Sequence, residues 1–155
     1  MAVTAHAFPS LSLNGLQKTL NASTDSLQVL LIASGTYTWN STSQAHAHVS
    51  DFLAGSGTGA LTEVSTSGTG YTRKTLLSVS LTDSATVTTL TCANPTWSAA
   101  TFSTVYACFF DNSVGGTDST NQLLAYWDFG SAQSVTSTTF TISINAAGLV
   151  TWTTS

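Results

Sequence analysis

The residues best suited to chemistry in this chain are two histidines and a carboxylate in its first third. His46 and His48 are two residues apart, and Asp51 follows three residues later. On an extended segment, side chains two residues apart point to the same side, so both imidazoles would face one divalent cation beside Asp51. The same spacing also fits a polar surface loop, and the sequence specifies no further strong ligand. We therefore expect no metal site and keep these three residues as candidate ligands.

Four carboxylates offer a second kind of chemistry, because paired acidic groups catalyse glycoside hydrolysis. They are Glu63, Asp111, Asp118 and Asp128. Asp111 begins a turn-like segment, where an aspartate accepts backbone N–H groups, and Asp128 lies between aromatic residues in a strand-like run. The motifs GxSxG, HExxH, CxxC and GxxxxGK[ST] are all absent. We expect no enzymatic activity and no cofactor.

Aromatic residues form a third candidate site, because their rings stack on sugars. In β-rich domains, however, most aromatic side chains pack in the core. The sequence therefore favours a core role over a carbohydrate-binding face for the following residues: Tyr37, Trp39, Tyr71, Trp97, Tyr126 and Trp127.

The charge content excludes two classes of partner. The chain has three basic and seven acidic residues in 155, while Ser and Thr make up about a third of it. Binding to nucleic acid or to an anionic membrane surface needs clustered Lys and Arg, so we expect neither partner. Short hydroxyl side chains lose little freedom when another protein covers them. The composition therefore favours a protein that functions by packing against other proteins.

The length predicts one domain, residues 1–155. Short β-prone runs separated by turn residues predict a mainly β protein, an antiparallel β-sandwich of jelly-roll or immunoglobulin-like type. At most one or two short helices are expected near the N-terminus, in residues 8–22 and 49–53. The predicted strands are residues 25–34, 76–81, 85–92, 102–111, 122–129, 138–144 and 149–153.

Three local features refine this prediction. The nearly continuous apolar run from Leu123 to Gly130 predicts a central strand that is covered on both faces. Residues 145–148 predict a hairpin turn that ends in a glycine. Cys92 and Cys108 are expected to be free, buried thiols rather than a disulfide, because a protein made in the cytosol rarely keeps such bonds.

The order of these landmarks resembles that of a family of small tailed-bacteriophage virion proteins. The resemblance covers nearly the whole chain. In one place the pattern differs, because Asn94-Pro95 stands where the family has an acidic residue before "TW". The matching segments are "TDSLQVLLIASGTYTW" (24–39), "HVSDF" (48–52), "EVSTSGTGYT" (63–72), "TW" (96–97), "YACFFD" (106–111), "LLAYWDFG" (123–130) and "TFTISINAAGLVTW" (139–152).

The resemblance implies a structural protein of the phage head or tail, made in the host cytoplasm and incorporated into the virion. Together with the composition, it predicts a capsid decoration or cement protein that docks on the lattice of the major capsid protein and stabilises the head. We expect this protein to form homo-oligomers and to contact other virion proteins. The alternatives are an adhesive or receptor-binding module of a tail or head fibre and, in a third class, a small carbohydrate-active enzyme.

The surfaces expected to make such contacts are the N-terminal segment and the polar loops. Residues 1–12 are predicted to form an extended arm, and residues 35–50 and 55–70 are too polar or glycine-rich to suggest a core. The candidate interface residues are Phe8, Leu11, Tyr37 and Trp39.

Overall fold

The computed structural model of the protein confirms a mainly β fold with antiparallel sheets. It describes residues 3–8, 21, 24–37, 47–55, 59–84, 87–113, 116–145 and 147–153. The strands are β1 (Thr4–Ala7), β2 (Leu27–Ser34), β3 (Thr62–Glu63), β4 (Lys74–Thr75), β5 (Ser80–Ser84), β6 (Val87–Thr91), β7 (Thr96–Asp111), β8 (Gln122–Thr141) and β9 (Val150–Thr153), and the helix is α1 (Val49–Ala54).

The larger sheet is organised by the long antiparallel pair β7 and β8. Its strand order is β1-β8-β7-β2-β3, and β4 also pairs with β2. The β7–β8 register runs from Asp111 opposite Gln122 to Thr96 opposite Thr141, with several irregularities that twist the pair. A second sheet, with the order β5-β6-β9, faces the larger one in an open, sandwich-like arrangement.

The larger sheet buries both of its faces, which explains why its inner strands are apolar at nearly every position. Ala107 and Phe109 of β7 point into a core shared with the second sheet. Tyr106, Cys108 and Phe110 point into a separate core beneath α1, where Phe52 is also buried. The helical turn predicted for residues 49–53 is therefore confirmed, and its apolar side covers one face of the sheet.

The predicted central strand at Leu123 to Gly130 is also confirmed. This segment is the first part of β8, between β1 and β7, and its residues from Leu123 to Trp127 are all buried. Both faces are covered, as the apolar run indicated.

The predicted C-terminal hairpin is wrong. Residues 138–141 are the end of β8 rather than the start of a new strand, and β9 pairs with β6 instead of with them. The turn itself is present, because the Gly148 N–H donates to the Asn145 carbonyl at 2.9 Å. The Leu149 N–H then donates to the Leu90 carbonyl at 2.7 Å, which directs the chain to the second sheet.

The predicted strand at 76–81 is also misplaced, since β5 begins only at Ser80.

The two cysteines lie in different cores. Cys92 belongs to the core between the sheets, whereas Cys108 belongs to the core beneath α1. Both are free and buried, as predicted. Burial raises the pKa of Cys92 to about 11 and that of Cys108 well above its usual value. Both thiols are therefore protonated and weakly nucleophilic at neutral pH.

The predicted exposure of Phe8 is wrong, and the described part of the predicted N-terminal arm, residues 3–8, lies against the sheet instead of extending from it. Residues 4–7 pair with β8, with Ala7 opposite Ala125. The Phe8 side chain is only 2% exposed, and its ring lies 5.9 Å from that of Phe52 and 5.7 Å from that of Tyr126. The ring is buried because it packs against Phe52 of α1 and Tyr126 of β8 in the core beneath α1. Most of the predicted helix at 8–22 lies outside the described residues.

We expect Phe8→Ala to lower the free energy of unfolding by about 3–5 kcal/mol, because a fully packed ring is replaced by a cavity. Val3→Ala, at a residue that is 44% exposed in the same segment, should change it by less than about 0.5 kcal/mol. Urea denaturation of both variants measures the difference. Equal effects of the two substitutions would contradict the observed packing of Phe8.

Candidate functional site

The most highly connected polar group in the described structure is a cluster formed by Glu63, Tyr71, Arg73 and Asp118, which we call the Arg73 cluster. The Arg73 guanidinium donates to both Glu63 oxygens, at 3.0 and 2.7 Å, and to both Asp118 oxygens, one of them at 2.9 Å. The Tyr71 hydroxyl donates to Glu63 at 2.7 Å and accepts the Leu31 N–H at 3.0 Å. The cluster thus joins β2, β3, the segment before β4 and the β7–β8 connection.

The electrostatics of this cluster are those of a structural ion pair. The hydrogen bonds that Arg73 donates to Asp118 and Glu63 raise the pKa of Arg73, while burial raises the pKa of Tyr71. The guanidinium carbon also lies 5.5 Å from the centre of the Phe110 ring. Both carboxylates accept charge-assisted hydrogen bonds from the guanidinium, which fixes the relative positions of the segments that carry them. From the sequence, Glu63 and Asp118 were candidate acids, but Arg73 was not a candidate site residue. Its rarity was a usable signal, because the chain has only three basic residues.

The candidate metal ligands His48 and Asp51 lie together at the start of α1, where they hold the backbone. The Asp51 carboxylate accepts the N–H groups of Ala47 at 3.1 Å and His48 at 2.9 Å, and its Oδ2 lies 3.5 Å from the His48 Nδ1. This arrangement caps the helix. His46 lies outside the described residues. Among the residues that are described, no three His, Cys, Asp or Glu side chains form a metal-binding group.

The other two candidate acids also hold local backbone, as the sequence suggested. Asp111 accepts the Ser113 N–H at 2.8 Å, and Asp128 accepts the Gly130 N–H at 2.7 Å. Asp111 is fully buried, and its Oδ2 has no hydrogen-bond partner among the described residues. Burial, with a smaller contribution from Asp25, raises the pKa of Asp111. Burial of the ionised Asp111 carboxylate therefore opposes folding.

The candidate aromatic residues do not form a sugar-binding face. All those that the structure describes are buried, and Trp39 lies outside the described residues, as does the interface candidate Leu11. Tyr37 belongs to the core beneath α1 and is 7% exposed. Like Phe8, it is therefore part of the core and not an exposed contact residue. The buried members of the set are Tyr37, Tyr71, Trp97, Tyr126 and Trp127.

The far half of the β7–β8 pair carries an exposed polar surface without charge, although its Trp97, Ala100 and Phe102 are buried in the core between the sheets. We call it the distal ribbon and define it as residues 96–103 of β7 with residues 131–141 of β8. Most of its side chains on β8 are exposed. Hydroxyl groups pair across the strands, Ser103 with Ser134 at 3.0 Å and Thr96 with Thr141 at 3.1 Å. No residue from 84 to 110 or after 128 is Asp, Glu, Lys or Arg.

The described helix is too short to cross a membrane, and no other described segment forms a long apolar helix.

Arg73→Met should lower the free energy of unfolding by about 2 kcal/mol, because Glu63 and Asp118 would face each other without a cation. This is less than the 3–5 kcal/mol typical of a fully buried pair, since the cluster is partly exposed. Lys74→Met makes the same change in net charge at the adjacent residue and should cost less than about 0.5 kcal/mol. Chemical denaturation in low salt would compare them, and equal losses would exclude a specific role for the cluster.

Asp111→Asn should stabilise the protein by about 1 kcal/mol at pH 7, because a neutral amide replaces a desolvated carboxylate. Folding raises the pKa of Asp111, so the folded state binds this proton more tightly than the unfolded state does. The destabilisation of the wild type is therefore absent below about pH 4 and develops as the pH rises through the raised pKa. Denaturation of both proteins between about pH 3 and 7 measures this difference.

Asp83→Asn, at an exposed position on β5, makes the same charge change and should show no such pH-dependent gain. A difference between wild type and Asp111→Asn that is constant with pH would contradict the assignment.

Comparison of the chain with protein-family models, curated proteins and solved structures gives no match. The resemblance to phage virion proteins therefore stays a prediction from the sequence.

Proposed function

We propose that this protein is a structural component of a tailed-phage virion that decorates the capsid by docking on the lattice of the major capsid protein. The observation that carries the proposal is the distal ribbon, an exposed surface that is rich in hydroxyl groups and lacks charge. The resemblance of the ordered sequence motifs to small virion proteins supplies the class of particle.

The chemistry of the distal ribbon suits a surface that another protein covers. Covering a charged side chain removes its hydration, and this loss is recovered only when the partner supplies an opposite charge. Hydroxyl groups are easier to cover, because they both donate and accept hydrogen bonds with whatever backbone or side chain meets them. Exposed Thr136 and Thr139 on β8 are of this kind.

A capsid lattice makes such modest contacts effective. One copy held by hydroxyl and apolar contacts binds weakly, but homo-oligomers bind at several points at once and their effective affinity increases accordingly. Icosahedral or helical symmetry then repeats the same contact over the particle. A decoration protein of this kind stabilises the head by linking neighbouring capsid subunits.

The arrangement of the polar residues favours this role over the carbohydrate-active alternative. The described acids hold backbone groups or Arg73, and the described aromatic candidates are buried. A glycosidase requires two carboxyl groups facing a cleft, which is not how the described acids are arranged.

Counting the protein in purified particles of the phage that encodes it tests the proposal. Quantitative mass spectrometry against the major capsid protein should give a copy number that is a simple fraction or multiple of the capsid subunits. A few copies per particle, together with binding to host cells, would instead indicate the fibre module. Absence from the particle would refute a virion role.

Attachment should depend little on salt, because few ion pairs can cross such an interface. Raising the salt from about 0.05 M to about 0.5 M shortens the screening length about threefold and should leave occupancy of purified particles nearly unchanged. The double variant Thr136→Glu/Thr139→Glu should lose at least about tenfold in occupancy, since its charges would be buried without partners. Thr82→Glu/Ser84→Glu, at exposed positions on β5 of the second sheet, is the control.

Full occupancy of the ribbon variant would move the docking surface elsewhere. Release of the wild type by moderate salt would contradict attachment without ion pairs.

A further inference from the structure

Two buried side-chain oxygens lie side by side at the end of the larger sheet next to the β7–β8 connection. Asp111 Oδ2 and Gln122 Oε1 each lack a hydrogen-bond partner among the described residues, and the Asp111 side chain is fully buried. The two residues are opposite each other in the β7–β8 register, so their side chains leave the same face of the sheet with Cβ atoms about 5 Å apart. Both oxygens are acceptors, and a buried acceptor without a partner is costly.

A second carboxylate, that of Asp25, borders the same place. The Asn112 N–H donates to the Ser26 carbonyl at 2.9 Å, and the Ser26 N–H donates to the Ser113 hydroxyl at 2.6 Å. These bonds hold the segment before β2 alongside the end of β7. Burial raises the pKa of Asp111, and the Asp25 carboxylate raises it further, as expected for two carboxylates that are close neighbours.

The negative charge of this pair is not balanced by the protein. Within the described part of the chain, neither Asp25 nor Asp111 forms an ion pair. The Arg73 guanidinium is held by Glu63 and Asp118 instead. Two carboxylates and an amide oxygen therefore come together without a positive charge.

This set of oxygens has the chemistry of a calcium site. Ca²⁺ binds carboxylate and amide oxygens in variable geometry, whereas Zn²⁺ favours nitrogen and sulfur ligands and Mg²⁺ keeps most of its water. Two carboxylates neutralise the charge of one Ca²⁺. The burial of the inner oxygens suits such an ion, because a bound ion is enclosed by its ligands and its binding is coupled to folding of the site.

We propose that Asp25, Asp111 and Gln122 bind one Ca²⁺ ion, which joins the segment before β2 to the two ends of the β7–β8 connection. Asp111 Oδ2 and Gln122 Oε1 are the inner ligands. Asp25 is only half-buried and closes the site on its outer side, where water completes the coordination. The site is separate from His48 and Asp51, and the inference does not rest on the virion role.

The test is a calcium titration of the full chain after EDTA treatment and dialysis. Isothermal titration calorimetry at pH 7 should detect one Ca²⁺ per chain with a Kd of about 0.1–1 mM, the range of weak sites with few charged ligands. Urea denaturation should give a folding equilibrium constant about 10- to 100-fold larger in about 10 mM CaCl₂ than in NaCl of equal ionic strength, because the ion binds the folded state.

Two variants and a matched control locate the ion. Asp111→Asn should bind Ca²⁺ at least about tenfold more weakly, although without the ion it is expected to be the more stable protein, so its loss of binding does not come from unfolding. Asp25→Asn should weaken binding to a similar extent. Asp83→Asn, at an exposed position on β5, makes the same charge change and should bind Ca²⁺ like the wild type.

Three results would overturn the proposal. No binding heat and no stabilisation in about 10 mM CaCl₂ would show that a proton or the Gln122 amide group satisfies Asp111 instead. Equal stabilisation of the wild type and Asp111→Asn would place the ion elsewhere. Equal stabilisation by MgCl₂ and CaCl₂ would indicate a hydrated cation attracted by charge alone.

Discussion

The antiparallel pairing of β7 with β8 is the interaction on which the rest of the structure depends. The 16 residues of β7 and 20 residues of β8 supply the register to which β1 and β2 attach on either side. Residues near the β7–β8 connection are apolar and contribute to both cores. The far half buries Trp97, Ala100 and Phe102 in the core between the sheets, and its other side chains are mostly polar and exposed. The β7–β8 pair therefore extends from a segment that is covered on both faces to a segment that has an exposed face. The irregularities in its register give the twist that lets the second sheet cover one face.

Much of this arrangement was predictable from the sequence. The continuous apolar run at 123–127 indicates an inner strand buried on both faces, the residues of 25–34 indicate a strand buried on at least one side, and the turn at Asn145 is evident from its residues. The partner of β9 was not predictable, because adjacent strands usually form a hairpin and only the packing of Leu149 against β6 overrides that rule. The position of Phe8 was missed for a related reason. Whether a ring near a chain end is exposed depends on distant elements, here α1 and Tyr126.

In the candidate site, too, contacts between neighbouring residues were predictable and contacts between residues far apart in the sequence were not. Asp111 and Asp51 accept backbone N–H groups a few residues away, which their local sequence suggests. The Arg73 cluster joins residues separated by 10 and 45 positions, so no short motif reveals it. With only ten charged residues, the chain places its single guanidinium, that of Arg73, where a carboxylate of β3 meets one from the β7–β8 connection. The result is a polar junction that holds these segments together.

The placement of Cys92 and Cys108 on opposite faces of the larger sheet has a consequence for the chain outside the cell. A protein that leaves a reducing compartment for an oxidising one commonly gains disulfides, and its stability then depends on where it is. Here a whole strand layer separates the two sulfurs, so a bond between them would require the sheet to open. No bond between these two sulfurs therefore forms in the folded chain, whether its surroundings are reducing or oxidising.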